Sequence, residues 1–417
     1  MIQTVRGMRD MYGAELADWH RAEEVFRTVS AEFGYEEFRT PILEHTELFK
    51  RGVGENTDIV GKEMYSFEDR SGDNLTLRPE MTAPIVRAAI EHTLLRHSPV
   101  TRIWYAGPLF RHERPQKGRY RQFHQYGAEC LGSPNPESDA EIILLANEIL
   151  RRVGVQRYSL ELNTLGAPDT RTTYRAALVE YLTEHESELS ADSVRRLATN
   201  PLRVLDSKEA ADRPIVDAAP SLSDYHDEAS RTHFDGVRAI LDAAGVPYTV
   251  NAHMVRGLDY YSHTVFEFTT DALGSQNAIC GGGRYDPLFA LIGGTDAPAV
   301  GFSIGIDRVM LLLEAERAAP VLGPSPDIYL CAIGDAARLP VQLLAMRLRR
   351  RGFSAVTDLL RRSMKGQMKD ADRLRATFTA SIGDDELASS TVVLKNMQTG
   401  EQKTIPQTDL EQALTSA

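Results

Sequence analysis

The chain has 417 residues, is 42% hydrophobic and 25% charged, and carries a net charge of −12. That length accommodates two or three domains with substantial cores, which excludes disorder as the main state. The acidic balance excludes a generally basic, DNA-coating protein and leaves room for a local basic patch. Cys130, Cys280 and Cys331 are odd in number and share no CxxC spacing. They read as reduced thiols of a cytoplasmic protein, neither a disulfide frame nor a zinc site. The opening MIQTVRGMRDMYG lacks the apolar core of a signal peptide. No uncharged apolar run approaches the roughly 18 residues that span a bilayer, so no membrane partner is expected.

In chain order, a helix is expected from about Ala14 to Phe33, stopped at Gly34, then a strand through Tyr35, Phe38 and Ile42. Leu75-Thr76-Leu77 reads as a short strand, followed by Arg78-Pro79-Glu80-Met81-Thr82 and a helix start with Thr82 near the cap. Two strand-like stretches, about 101–113 and 120–131, are joined by a short polar loop and read as an antiparallel hairpin. From about 170 to 245 the sequence turns polar and helical, as an insertion on the main body would. Strand character returns from Tyr248 to Thr270, and again from Ala299 ahead of a helix through Glu316. Three prolines and a glycine in residues 318–326 mark a linker between a domain at 1–317 and one at 327–417. The second domain begins with strands at 328–333, 353–360 and 378–382 alternating with helices at 336–351 and 364–376. That alternation predicts a mostly parallel sheet with helices packed on it.

The hairpin holds the densest chemistry. With alternating faces, Gly107, Leu109, Arg111 and Glu113 of its first strand share a surface with Arg121, Phe123, Gln125, Gly127 and Glu129 of its second. Arginines suit phosphate or carboxylate forks, an aromatic ring suits a base, and glycine permits close approach of a ligand to the backbone. A solvated sheet face with scattered ion pairs would present the same residues. Three further segments favour a site. Glu80 and Thr82 put a carboxylate and a hydroxyl after a strand; Val255 to Tyr261 sets Arg256, Asp259, Tyr260 and Tyr261 in an otherwise apolar strand, where unpaired charge is costly. Arg308 falls in the first turn of the helix after Ala299–Gly305, where a cation gains nothing from the helix dipole and a bound anion explains it better.

Together these segments resemble the three motifs of class II aminoacyl-tRNA synthetases. Motif 1 resembles the Ala14–Phe33 helix with its strand and Pro41, motif 2 resembles Phe110-Arg111-His112-Glu113 through Glu129, and motif 3 resembles Gly301 to Arg308. Arg256-Gly257-Leu258-Asp259-Tyr260-Tyr261 and Gly281-Gly282-Gly283-Arg284-Tyr285-Asp286 resemble the stretches peculiar to the histidine-specific branch. There is neither a GxxxxGK[ST] loop nor the HIGH and KMSKS of class I synthetases. The resemblance implies an α+β fold, with an antiparallel catalytic sheet carrying a helical insertion and an α/β anticodon-binding domain behind it. It implies activation of L-histidine with ATP to histidyl-adenylate and transfer to the 3′ end of tRNA(His). Arg111, Arg256 and Arg308 would be the catalytic cations, with Mg²⁺ accompanying ATP. Glu113 and Phe123 would take adenine. Glu80, Met81, Thr82, Arg111, Gln125, Glu129, Arg256, Tyr260 and Tyr261 would take histidine. His20, His112 and His124 lack ligand-like spacing, so no protein-only metal site is expected.

The resemblance further implies a homodimer through motif 1. A regulatory subunit of histidine biosynthesis shares the catalytic fold, but it lacks the anticodon domain and degrades the ATP motifs that this chain keeps. The tail also supplies a basic footprint: from Arg347 to Arg375 the net charge is +7. Arg349, Arg350 and Arg361 are the candidate tRNA contacts within it, although a basic run is also what a solvated helix face looks like.

Overall fold

The structure, a computed structural model, describes all residues except 55–56, 206, 208, 253, 255–259, 275–276, 318–324 and 416–417. The linker therefore lies mostly outside the described residues, as does Arg256 with its neighbours. The chain divides into two compact units, Met1–Tyr12 with Asp18–Pro320 and Gly13–Ala17 with Val321–Ala417.

The helix Ala14–Glu32 turns Trp19, Ala22, Phe26 and Val29 inward at helical spacing, and Gly34, with φ of 76°, reverses the chain after it. The strand expected through Ile42 shrinks to Glu36–Glu37 (β1), because the chain then leaves for a separate small sheet. That sheet comprises Leu43–His45 (β2), Tyr65–Glu68 (β3) and Asn74–Leu77 (β4), with β4 in the middle. The helix Thr82–Glu91 follows and buries its first turn.

The hairpin is Thr101–Phe110 (β5) and Gln122–Leu131 (β6), in a register that sets Leu109 opposite Phe123 and Gly107 opposite Gln125. Both strands are shorter than expected. Pro115 and Gly118 favour a turn, and residues 111–121 form a loop pinched by a bridge between Gln116 and Arg119. Arg111, Glu113 and Arg121 thus stand on loop backbone just past the sheet. Four more long strands, Ser159–Thr164 (β7), Ser262–Thr269 (β9), Ala278–Arg284 (β10) and Ala299–Gly305 (β11), and a short one, Thr249–Val250 (β8), complete an eight-stranded sheet. Its order is β1-β5-β6-β11-β10-β9-β7-β8, antiparallel except at its two ends, where β1 and β8 pair in parallel. The expected strand from Tyr248 breaks in two, and Tyr260 and Tyr261 stand in a turn and irregular backbone just ahead of β9.

Between β7 and β8 the chain is helical, with Pro168–Glu184, Ala191–Thr199 and Glu228–Ala243 as its long elements. Polar as it is, this stretch sends Tyr174, Leu178, Leu182 and Val204 into the same apolar cluster as Ile85, Tyr105 and Val265. The second unit has its own core around Ile328, Leu344, Leu348, Ala380 and Leu394. Its sheet joins Ile328–Ala332 (β12), Ala355–Thr357 (β13) and Phe378–Ile382 (β14) in parallel, then adds Thr391–Asn396 (β15) and Gln402–Pro406 (β16) antiparallel. The α/β alternation is there, but past Ile382 the sheet adds a closing antiparallel hairpin, which turns at Gly400 with φ of 76°.

Candidate active site

A cavity of about 360 Å³ opens on the catalytic sheet. Its lining brings together ten of the residues singled out from the sequence: Glu80, Thr82, Arg111, Glu113, Phe123, Gln125, Glu129, Tyr260, Tyr261 and Arg308. They come from the helix start at 80–82, the hairpin and its loop, the backbone before β9 and the β11–helix junction. Met81 does not join them. It occupies the N-cap of Thr82–Glu91 and is buried in the apolar core. Arg256 lies outside the described residues.

Two of the lining residues are buried carboxylates, Glu80 and Glu129. Glu80 accepts backbone N–H bonds from Thr82 at 2.8 Å and Ala83 at 3.1 Å, capping the helix that follows. Glu129 accepts three hydroxyls: Tyr105 at 2.7 Å, Thr82 at 3.0 Å and, on its other oxygen, Tyr285 at 2.5 Å. Burial pushes both carboxyls up to about 7, with these donors opposing the shift. Gly301 stands opposite Glu129 in the β11–β6 register, and a side chain there would collide with the Glu129 carboxylate and the Ala128 carbonyl. Glycine at 301 is what allows Glu129 its place.

The same lining carries three guanidiniums, Arg111, Arg119 and Arg308, of which Arg111 also acts on Glu80. Arg111 donates from Nε to the Pro79 carbonyl at 2.8 Å and sits 5.2 Å over the Phe123 ring. Arg308 donates from Nη1 to the Ala278 carbonyl at 2.6 Å and from Nε to that of Gly118 at 3.4 Å. Arg119 pairs with Glu113, which also lies 3.9 Å from Arg111. Burial lowers the pKa of Arg308, and the nearby charges of Arg119 and Arg111 lower it further. Like charges that act on Arg308 in this way suit an anionic occupant.

Two glycines behave differently from expectation. A Cβ on Gly107 would meet Arg78 Nη2 at 2.6 Å, and one on Gly127 would meet the Tyr105 ring at 2.5 Å. Both make room for side chains and neither lines the cavity. Tyr105, Arg119, Tyr120 and Glu267 join the site without having been singled out from the sequence, and Tyr285 and Asp307 join it from within the quoted motif stretches. Tyr105 was accessible to strand alternation, since it lies two residues before Gly107 on the same face of the strand. Arg119 and Tyr120 lie in the hairpin loop and Asp307 beside Arg308, whereas Tyr285 and Glu267 reach the site through neighbouring strands of the sheet.

A family model described as histidyl-tRNA synthetase matches residues 7–309, and one described as anticodon binding domain matches 327–417. The crystal structure of apo S. aureus histidyl-tRNA synthetase is 36% identical, with a TM-score of 0.84, and the match covers 99% of this chain and 100% of that one. Histidyl-tRNA synthetase from Nostoc sp. PCC 7120 shares the fold at 20% identity and a TM-score of 0.70, over 100% of this chain and 99% of that one. A Bacillus halodurans protein described as an ATP phosphoribosyltransferase regulatory subunit/histidyl-tRNA synthetase shares it at 24% and 0.66, over 92% and 98%. With both units matched and the first enclosing paired carboxylates and a guanidinium cluster in one cavity, the chain belongs to the histidyl-tRNA synthetase family, enzymes that activate histidine with ATP and charge tRNA(His) with it.

Proposed function

We propose that the two ends of the cavity divide the substrates between them. The guanidinium end takes the triphosphate, with Arg111 at the α-phosphate and the histidine carboxylate and Arg308 at the γ-phosphate. Glu113 reads the adenine amino group, and the Phe123 ring stacks on the base. At the carboxylate end Glu80 meets the α-ammonium of histidine. Thr82, Gln125, Glu129, Tyr260 and Tyr261 surround the imidazole. Met81 acts from behind, by fixing the helix start through its packing. Arg256 is assigned to the α-phosphate on the family resemblance alone.

The observation that carries this reading is that one cavity is lined both by the buried carboxylates Glu80 and Glu129 and by the guanidiniums Arg111, Arg119 and Arg308. Histidine offers a cation to the first set and ATP a polyanion to the second. The histidine carboxylate is a nucleophile at neutral pH, so attack on the α-phosphorus needs no general base. The residues orient the two reactants and neutralise charge as pyrophosphate leaves. Mg²⁺ is bound in such sites by substrate phosphates and one or two carboxylates. Glu267, which lines the cavity and interacts with Arg308, is a carboxylate suited to help hold it; the ion would neutralise triphosphate charge.

Histidine-dependent, Mg²⁺-dependent exchange of pyrophosphate into ATP is the expected activity, and exchange supported by a different amino acid would overturn the assignment of the two ends. The protein works in the cytoplasm as a two-fold dimer built on the Ala14–Glu32 helix and the strand after it. Sedimentation at micromolar concentration should give twice the chain mass, and a stable monomer would refute the dimer. The unit containing 327–417 binds the tRNA anticodon arm.

A further inference from the structure

Residues 6–9 are fastened to the guanidinium-bearing segments of the cavity at four points. Arg9 Nη2 donates to Asp307 Oδ1 at 3.1 Å, and the Arg9 guanidinium lies 4.9 Å from the centre of the Tyr120 ring. The Gly7 carbonyl accepts the Arg121 N–H at 2.7 Å, and the Arg6 carbonyl accepts Arg121 Nη1 at 3.4 Å. Gly7 has φ of +86°, and a Cβ there would come within 2.8 Å of Pro115 and 2.9 Å of the Arg121 side chain. Only glycine fits that approach. All of these partners belong either to the 111–121 loop or to the first turn of the helix Ile306–Glu316.

Asp307 is the centre of the arrangement. It is buried and lines the cavity. Its Oδ2 accepts the backbone N–H of His124 on β6 at 2.7 Å, with His124 Nδ1 3.6 Å away. Burial pushes the carboxyl up, but His124 and Arg9 more than offset it and hold the pKa below the ordinary value. An ionised aspartate in a first helical turn is also favoured by the helix dipole. The Asp307 carboxylate thus pins that turn to the hairpin, and Arg308 projects from the same turn. The loop supplies Tyr120 to the cavity and the Gly118 carbonyl to Arg308 Nε.

We propose that Arg9 is a positioning residue for ATP. Through Asp307 and Tyr120 it sets Arg308 and the 111–121 loop in the geometry that receives the triphosphate. The histidine end does not depend on it, because Glu129 is held by Thr82, Tyr105 and Tyr285. The inference rests on the assignment of Arg308 to ATP made above.

Pyrophosphate exchange on the full chain tests it, with circular dichroism on each variant. Arg9→Met should raise the KM for ATP about tenfold, the scale of one charge-assisted hydrogen bond, while the KM for histidine stays within about twofold. Arg9→Lys should recover most of the loss. Gly7→Ala, with Arg9 intact, should shift the ATP KM in the same direction, and it decides the matter if Arg9→Met does not fold. An unchanged ATP KM, an equal rise in both KM values, or failure of both variants to fold overturns the proposal. An Arg308→Ala variant whose KM for ATP is unchanged would instead defeat the underlying assignment and the proposal with it.

Discussion

Glu80 and Glu129 are carboxyls whose buried surroundings favour the proton, and histidine is a ligand that favours the charge. In the free protein both titrate near 7, above the ordinary 4.5. The folded state therefore binds more protons than the unfolded one between about 4.5 and 7, and the stability these groups supply at low pH is lost as pH rises through that window. A bound α-ammonium beside Glu80 reverses the preference. Histidine binding near pH 7 should then expel protons, up to about one in all if each carboxyl starts half-protonated. Titration calorimetry in two buffers of different ionisation enthalpy measures that release. Glu80→Gln should remove roughly half of it and weaken histidine binding by about tenfold or more, as losing one charged hydrogen-bond partner does. Equal proton release by the variant and the wild type would show that Glu80 does not face the ammonium.

At the level of elements, the sheet is fixed by a buried charge that the sequence only hinted at. Arg284, 1% exposed at the end of β10, donates to Asp139 through both Nε and Nη2, to the Ser133 carbonyl at 2.9 Å and to Asp286 at 3.1 Å. Asp139 belongs to the helix Pro136–Val153, and His233 of the inserted helix Glu228–Ala243 stands 3.3 Å from the same carboxylate. One ion pair thereby joins a strand end and two helices. Arg284→Met would strand a buried carboxylate, and chemical denaturation should register a loss of about 3–5 kcal/mol. Adding Asp139→Leu should restore part of it, because the fully buried carboxylate is then gone and only the partly exposed Asp286 lacks its partner. A loss below about 1 kcal/mol would mean that the pair is solvated in solution.

The same contrast explains what was legible in advance. Hairpin residues such as Phe123, Gln125 and Glu129 could be put on one face because alternation along a strand is local, whereas Arg111 stands on the loop just past it. Arg308 could be found because an arginine in a first helical turn is locally unfavourable. Tyr285 on Glu129, Gly301 opposite it and Arg9 on Asp307 could not, since each needs a register between segments more than a hundred residues apart. Tyr260 and Tyr261 line the cavity from irregular backbone where the sequence predicts a strand, because two aromatics beside apolar residues look like strand whether or not a partner is in reach.

For the whole molecule, an acidic chain must still engage a polyanion, and the basic stretch of the second unit is where that happens in our assignment. Its +7 excess overstates the charge available. Arg362 is committed to Asp358 and Asp370, Arg373 to Asp370, and Arg347 and Arg351 to Glu411. Arg349, one of three candidates from the sequence, ties its helix to β13 through the Ala355 carbonyl at 2.9 Å. Replacing it would disturb packing as well as charge. Arg350, Arg361, Lys365 and Lys369 are exposed and better suited to phosphates. Neutralising Arg350, Arg361 and Lys365 together should weaken tRNA(His) binding and lower the salt slope of the affinity by about 2 if each meets a phosphate, at roughly 0.7–0.9 per contact. Histidine-dependent pyrophosphate exchange should be unchanged in the same protein, since the proposed ATP and histidine contacts all belong to the other unit. Arg349→Ala should differ in kind, shifting the melting temperature more than the salt slope. A triple variant that binds tRNA(His) with the wild-type salt dependence would make this basic stretch a solvated surface and move the anticodon contacts elsewhere on the unit.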